Sequence, residues 1–175
     1  MVINETSDWE NLVQHPEVQM LLDLAIQEDM GERGDVTTDS IFVKPQQVHA
    51  VVAARTPTVV CGVHLAKAIM ERFDPELSPI DAMAEGSIAQ PGDALFHMKG
   101  DIRSILKAER TVLNFMIRLC GIANGAQKAA SQVPDNCRGG LVCDKRRVCQ
   151  LCRTQVCKTG WCWIKNATAS HRSRL

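Results

Sequence analysis

Residues 102–123 read IRSILKAERTVLNFMIRLCGIA, and the two periodicities in that stretch decide the architecture. Ile102, Ile105, Leu106, Val112, Leu113, Met116, Ile117 and Cys120 recur at helical spacing, and Asp101 stands where an N-cap belongs. The spacing therefore predicts one long amphipathic helix with a buried apolar stripe. Arg103, Lys107, Arg110, Asn114 and Arg118 follow one another at intervals of four, three, four and four. Their side chains line one edge of the same helix, a solvated basic face or an anion-binding one.

Upstream, apolar residues from Glu17 to Asp29 (Val18, Leu21, Leu22, Ala25, Ile26) predict a second amphipathic helix that stops at Gly31. Residues 28–35 are acidic and carry two glycines, which predicts a turn, solvated or metal-binding. Gln47 to Arg55 and Thr58 to Cys61 are β-rich runs around Pro57, and Val63 to Phe73 returns to helical spacing. Between Glu85 and Phe96 a Pro91-Gly92 turn separates two short alternating apolar segments, the pattern of two strands joined by a tight turn. His49, His64 and His97 stand apart from one another in sequence and are expected to be structural or surface residues.

The chain has 175 residues, 45% hydrophobic and 23% charged, a composition that excludes wholesale disorder. No apolar run approaches the roughly 18 residues that span a bilayer. Met1 to Glu10 lacks the basic start and apolar stretch of a secretory leader, so the cytoplasm is the expected compartment and no membrane partner is expected. The net charge of zero conceals a division. Up to Asn136 there are 11 Lys and Arg against 19 Asp and Glu; from Cys137 onward there are 9 against 1. Six of the eight cysteines, Cys137, Cys143, Cys149, Cys152, Cys157 and Cys162, lie in that second part. The boundaries read from this are a lead over residues 1–16, a folded domain over 17–135, and a Cys-rich basic tail over 136–175.

Leu106-Lys107-Ala108-Glu109-Arg110-Thr111-Val112-Leu113-Asn114-Phe115, running on to Leu119-Cys120-Gly121-Ile122-Ala123, resembles the A-E-R-T-x-L-N-F and L-S-G-I-A motifs of the quinolinate phosphoribosyltransferases. These enzymes are also called carboxylating nicotinate-nucleotide pyrophosphorylases. Glu28-Asp29-Met30-Gly31 and Gly34-Asp35-Val36-Thr37-Thr38 resemble the family's E-D-x-G and G-D-x-T-[ST] turn, and Gly62, Glu85-Gly86 and Pro91-Gly92 follow in the family's order. The resemblance covers residues 18–133. It implies an α+β open sandwich, an antiparallel sheet with helices, standing as the N-terminal domain before a C-terminal α/β barrel.

The activity implied is a pentosyl transfer in de novo NAD biosynthesis. Quinolinate and 5-phosphoribosyl 1-diphosphate give nicotinate mononucleotide, diphosphate and carbon dioxide with Mg2+. A dicarboxylate and a polyphosphate need Arg and Lys donors. By the same resemblance Arg110 binds a quinolinate carboxylate in the active site of a partner subunit, which implies a homodimer or higher homo-oligomer. The Mg2+ ligands and the catalytic groups fall to the barrel, and no catalytic or metal-ligating residue is assigned to this chain.

Past Asp135 the family continues with T-R-K-T-T-P-G and S-H-R segments. Here Arg153, Lys158, Thr159 and Gly160 resemble scattered parts of the first, and Ser170-His171-Arg172 resembles the second. Arg153, Lys158, His171 and Arg172 are thereby candidate substrate contacts. The 40 residues after Asp135 are too few for a barrel, so a truncated or frame-disrupted member, inactive alone, is the expectation. Two rival readings remain. In one, the chain is a non-catalytic dimerising module whose tail binds zinc through Cys149 and Cys152, with Cys157, Cys162 or His171 to complete the tetrahedron, or binds nucleic acid through Lys145-Arg146-Arg147 and the tryptophans; nucleic acid is the less expected ligand. In the other, it is a related phosphoribosyltransferase-fold protein acting on another pyridine carboxylate.

Overall fold

The long helix begins where the sequence places it. In the computed structural model, which describes residues 5–131, α5 runs from Ile102 to Ala130, and the Asp101 carboxylate accepts the Arg103 amide at its start. Ahead of it come α1 (Glu5–Val13), α2 (Pro16–Met30), α3 (Val36–Ile41), β1 (Gln47–Ala53), β2 (Thr58–Val59), α4 (Val63–Phe73), β3 (Ile88–Ala89) and β4 (Ala94–Asp101).

β1 pairs antiparallel with β4 from Gln47 opposite Asp101 to Ala53 opposite Ala94, and β2 pairs antiparallel with β3. The Pro91-Gly92 turn thus corrects one expectation: the strands on either side of it do not pair with each other. Asp93 closes the turn by accepting the Gln90 amide on its side chain at 2.7 Å and donating its own amide to the Gln90 carbonyl at 3.0 Å. Opposite, Ala54 bonds Asp93 and Gly92 at 2.9 and 2.8 Å, so the two-stranded ribbon continues around the corner as β2 with β3. Along the other side of β4, Ile80 exchanges two hydrogen bonds with His97, at 2.7 and 2.8 Å.

Strand alternation assigns the faces. Val48, Ala50 and Val52 point inward with the buried Phe96 and Met98, while His49, Val51 and Lys99 are exposed on the other side. The helices collect on the inner face, with α5 against β1, β4, β2 and α4. This is the mixed helix and antiparallel sheet architecture of an open sandwich.

The apolar stripe of α5 differs from the expected one at its edges. Ile105, Ala108, Val112, Met116, Leu119, Cys120 and Ala123 are buried, Leu106 and Leu113 are half-buried, and Ile117 is 70% exposed. Steps of three and four from Ile105 follow the 3.6-residue turn onto Met116 and Leu119, which leaves Ile117 about 100° away from Met116. The lead segment also holds more than expected. Trp9, Leu12 and Val13 of α1 join the same core as Val18 and Leu22 of α2.

Candidate functional site

α5 carries the basic line, and the neighbouring elements determine which of its charges are used up. Arg103 folds back on Asp101 with two contacts, at 2.8 and 3.2 Å, and this holds the Asp101 carboxyl down at about 2. Lys107 pairs with Asp39 of α3 at 2.7 Å. Both cations are partly covered rather than fully solvated. Arg118 is exposed farther along. Arg110 is exposed and makes no ion pair with any described residue.

Local chemistry builds the elements that surround Arg110. Asp35 caps α3, accepting both the amide and the hydroxyl of Thr38, which lowers its carboxyl below the ordinary value. The G-D-V-T-T turn is therefore a helix cap, and the acidic stretch supplies structural acceptors. At the end of α2, Asp29 accepts the Thr111 hydroxyl at 2.6 Å across 82 residues of sequence, and Thr111 is only 1% exposed. Two motifs quoted from distant parts of the chain meet at this bond.

A second cluster lies at the start of α4. Gly62 adopts φ +104°, and a Cβ there would stand 2.6 Å from Leu119 Cδ1, so both backbone and space require glycine. The Glu85 carboxylate accepts the Gly62 amide at 2.9 and 3.0 Å and the His64 amide at 3.4 Å. Cys120 Sγ donates to the Cys61 carbonyl at 3.4 Å, and burial pushes this thiol up, away from reactivity. Sequence reasoning missed Glu85 as a half-buried acceptor, although the Glu85-Gly86 pair in the motif series marked the place.

Burial pushes the Glu85 carboxyl from its ordinary 4.5 up to about 7, against the pull of the Gly62, His64 and Val63 amides. Between these values the folded chain holds a proton that the unfolded chain has released. Stability therefore falls as pH rises from about 4.5 to 7 and is level, for this group, outside that window. Urea unfolding across the window is expected to show that slope in the wild type and lose it in Glu85→Gln; parallel profiles would refute the assignment.

The three histidines take structural places. His64 stacks on Trp9 with ring centroids 5.7 Å apart, and His49 stacks on His97 at 5.1 Å. Among the described residues no group of three or more His, Cys, Asp or Glu is placed to hold a metal ion, and no helix is long and apolar enough to cross a membrane. Arg153, Lys158, His171, Arg172 and the tail cysteines lie outside the described residues.

The profile of the family described as Quinolinate phosphoribosyl transferase, N-terminal domain, matches residues 35–120. The carboxylating, chloroplastic nicotinate-nucleotide pyrophosphorylase of Oryza sativa subsp. japonica is 33% identical over 125 residues, 70% of this chain and 34% of its own length. The probable carboxylating nicotinate-nucleotide pyrophosphorylase of Bacillus subtilis (strain 168) is 29% identical over 133 residues, 76% of this chain and 45% of its own length. The solved nicotinate-nucleotide pyrophosphorylase of Francisella tularensis superposes with a TM-score of 0.62 at 26% identity, covering 69% of this chain and 42% of that one. The Ehrlichia chaffeensis structure reaches 0.66 at 22% identity, covering 81% of this chain and 52% of that one, a likeness of fold. The chain thus spans less than half the length of the curated relatives named here.

Proposed function

The chain belongs to the quinolinate phosphoribosyl transferase family through its N-terminal domain, and on that premise we propose that it serves the conversion of quinolinate and 5-phosphoribosyl 1-diphosphate to nicotinate mononucleotide, diphosphate and carbon dioxide. Its part is binding and orientation. Arg110 holds a quinolinate carboxylate in the active site of a partner subunit, where its planar fork makes two parallel charge-assisted bonds.

The observation that carries this reading is the selective pairing along α5. Arg103 and Lys107 are engaged by Asp101 and Asp39, whereas Arg110 projects into solvent with no ion pair among the described residues. A homodimer or higher homo-oligomer belongs to the proposal because Arg110 acts in trans. The exposed Ile117, two turns along the same helix face, gives that encounter an apolar contact.

Mg2+ belongs to the proposal as the counter-ion of the diphosphate. Among the described residues no group of three or more His, Cys, Asp or Glu is placed to hold it. Arg153, Lys158, His171 and Arg172 enter as further contacts to quinolinate and phosphate, supported by the likeness of Ser170-His171-Arg172 to the family's S-H-R segment. Cytoplasmic residence is the finest part of the reading, set beside plant relatives named chloroplastic or mitochondrial.

The test joins the whole chain to the remaining, barrel-bearing part of the B. subtilis relative. The purified chain alone is expected to release no carbon dioxide from quinolinate, and the fusion to release it steadily. Sustained release by the chain alone, or a folded and assembled fusion without release, would overturn the proposal.

A further inference from the structure

Arg110 stands between two attachments of α5 to the elements that precede it. Three residues before it, Lys107 is tied to Asp39 of α3 at 2.7 Å; one residue after it, Thr111 is tied to Asp29 of α2 at 2.6 Å. The two bonds differ in setting. Asp39 is exposed and Lys107 partly so, which makes that pair weak and screened. Thr111 is buried, so an unpaired hydroxyl there has no water to turn to and its bond to Asp29 is held in one geometry.

A helix residue next to a fixed one inherits its rotation about the axis, because 100° per residue is set by the backbone hydrogen bonds. Rotation of α5 by a fraction of a turn would swing the Arg110 guanidinium several ångströms, since its side chain is long. We infer that Asp29 and Thr111 are positioning residues for the quinolinate-carboxylate contact: added to the apolar packing of Ile105, Ala108, Val112 and Met116, their bond holds α5 beside Arg110 in the rotation that points it outward. This inference rests on the proposed role of Arg110. Neither residue touches substrate.

The prediction separates hydrogen bonding from packing. Thr111→Val keeps the shape and removes the hydroxyl; Asp29→Ala removes the acceptor. Thr111→Ser and Asp29→Asn each keep the bond. In the fusion of the whole chain described above, the first two variants are expected to raise KM for quinolinate about tenfold and leave KM for 5-phosphoribosyl 1-diphosphate within about twofold. The two conservative variants are expected to restore the wild-type value. Equal rises in both KM values, or no rise with Thr111→Val, would overturn the inference.

A second measurement needs no turnover. In the unfused chain the buried Thr111 hydroxyl proton is expected to give a slowly exchanging NMR resonance that vanishes in Asp29→Ala and persists in Asp29→Asn. Absence of that resonance from the wild type would also overturn the inference. If the resonance behaves as stated while Arg110→Ala leaves quinolinate kinetics untouched, the bond stands and the reading of Arg110 falls.

Discussion

Arg110→Ala is expected to lower kcat/KM for quinolinate by about 10- to 100-fold in the fusion, the loss of one charge-assisted contact worth about 1.5–3 kcal/mol. The residue is exposed and makes no ion pair with any described residue. Its removal therefore takes nothing from the fold, and thermal unfolding of the variant is expected to match the wild type. KM for 5-phosphoribosyl 1-diphosphate is expected to stay the same, because the proposed contact of the guanidinium is with the quinolinate carboxylate. Arg110→Lys is expected to recover only part of the loss, since a point charge cannot make the two parallel bonds of the fork. Wild-type quinolinate kinetics in Arg110→Ala would remove Arg110 from the site.

Trp9→Ala is expected to cost about 3–5 kcal/mol of stability, read as a lowered urea midpoint at unchanged slope. Trp9 is 2% exposed, stacks on His64 at the start of α4, and belongs to the continuous core. Truncation would leave a cavity that neighbours from two helices cannot close. A loss below about 1 kcal/mol would mean that α1 is an appendage.

The legible parts of the molecule were those governed by local periodicity. Asp101 with the stripe behind it specifies α5, and Val63–Phe73 appears as α4 with the bounds read from its spacing. A motif singles out Arg110, and the structure adds how its surroundings differ from those of Lys107 and Arg103, three and seven residues before it. The short α3 was read as part of a turn. Six residues make too little periodic pattern to register, and what stabilises α3 is the Asp35 cap and the Lys107 pair. The Pro91-Gly92 turn was recognised but its partners were not, because a turn residue reports the local bend and carries no record of which strand lies alongside.

By itself the sequence determined the longer helices, the extended runs and the family, and it marked Arg110 through a motif, because backbone propensity, side-chain period and motif order are written along the chain. Only the tertiary structure decided that Asp29 meets Thr111, that Glu85 closes the start of α4, and that Trp9 is core. Those facts depend on which residues, up to 82 positions apart, share a buried space. Burial then changes their chemistry: it raises the Glu85 carboxyl and leaves the Thr111 hydroxyl the Asp29 carboxylate as its acceptor.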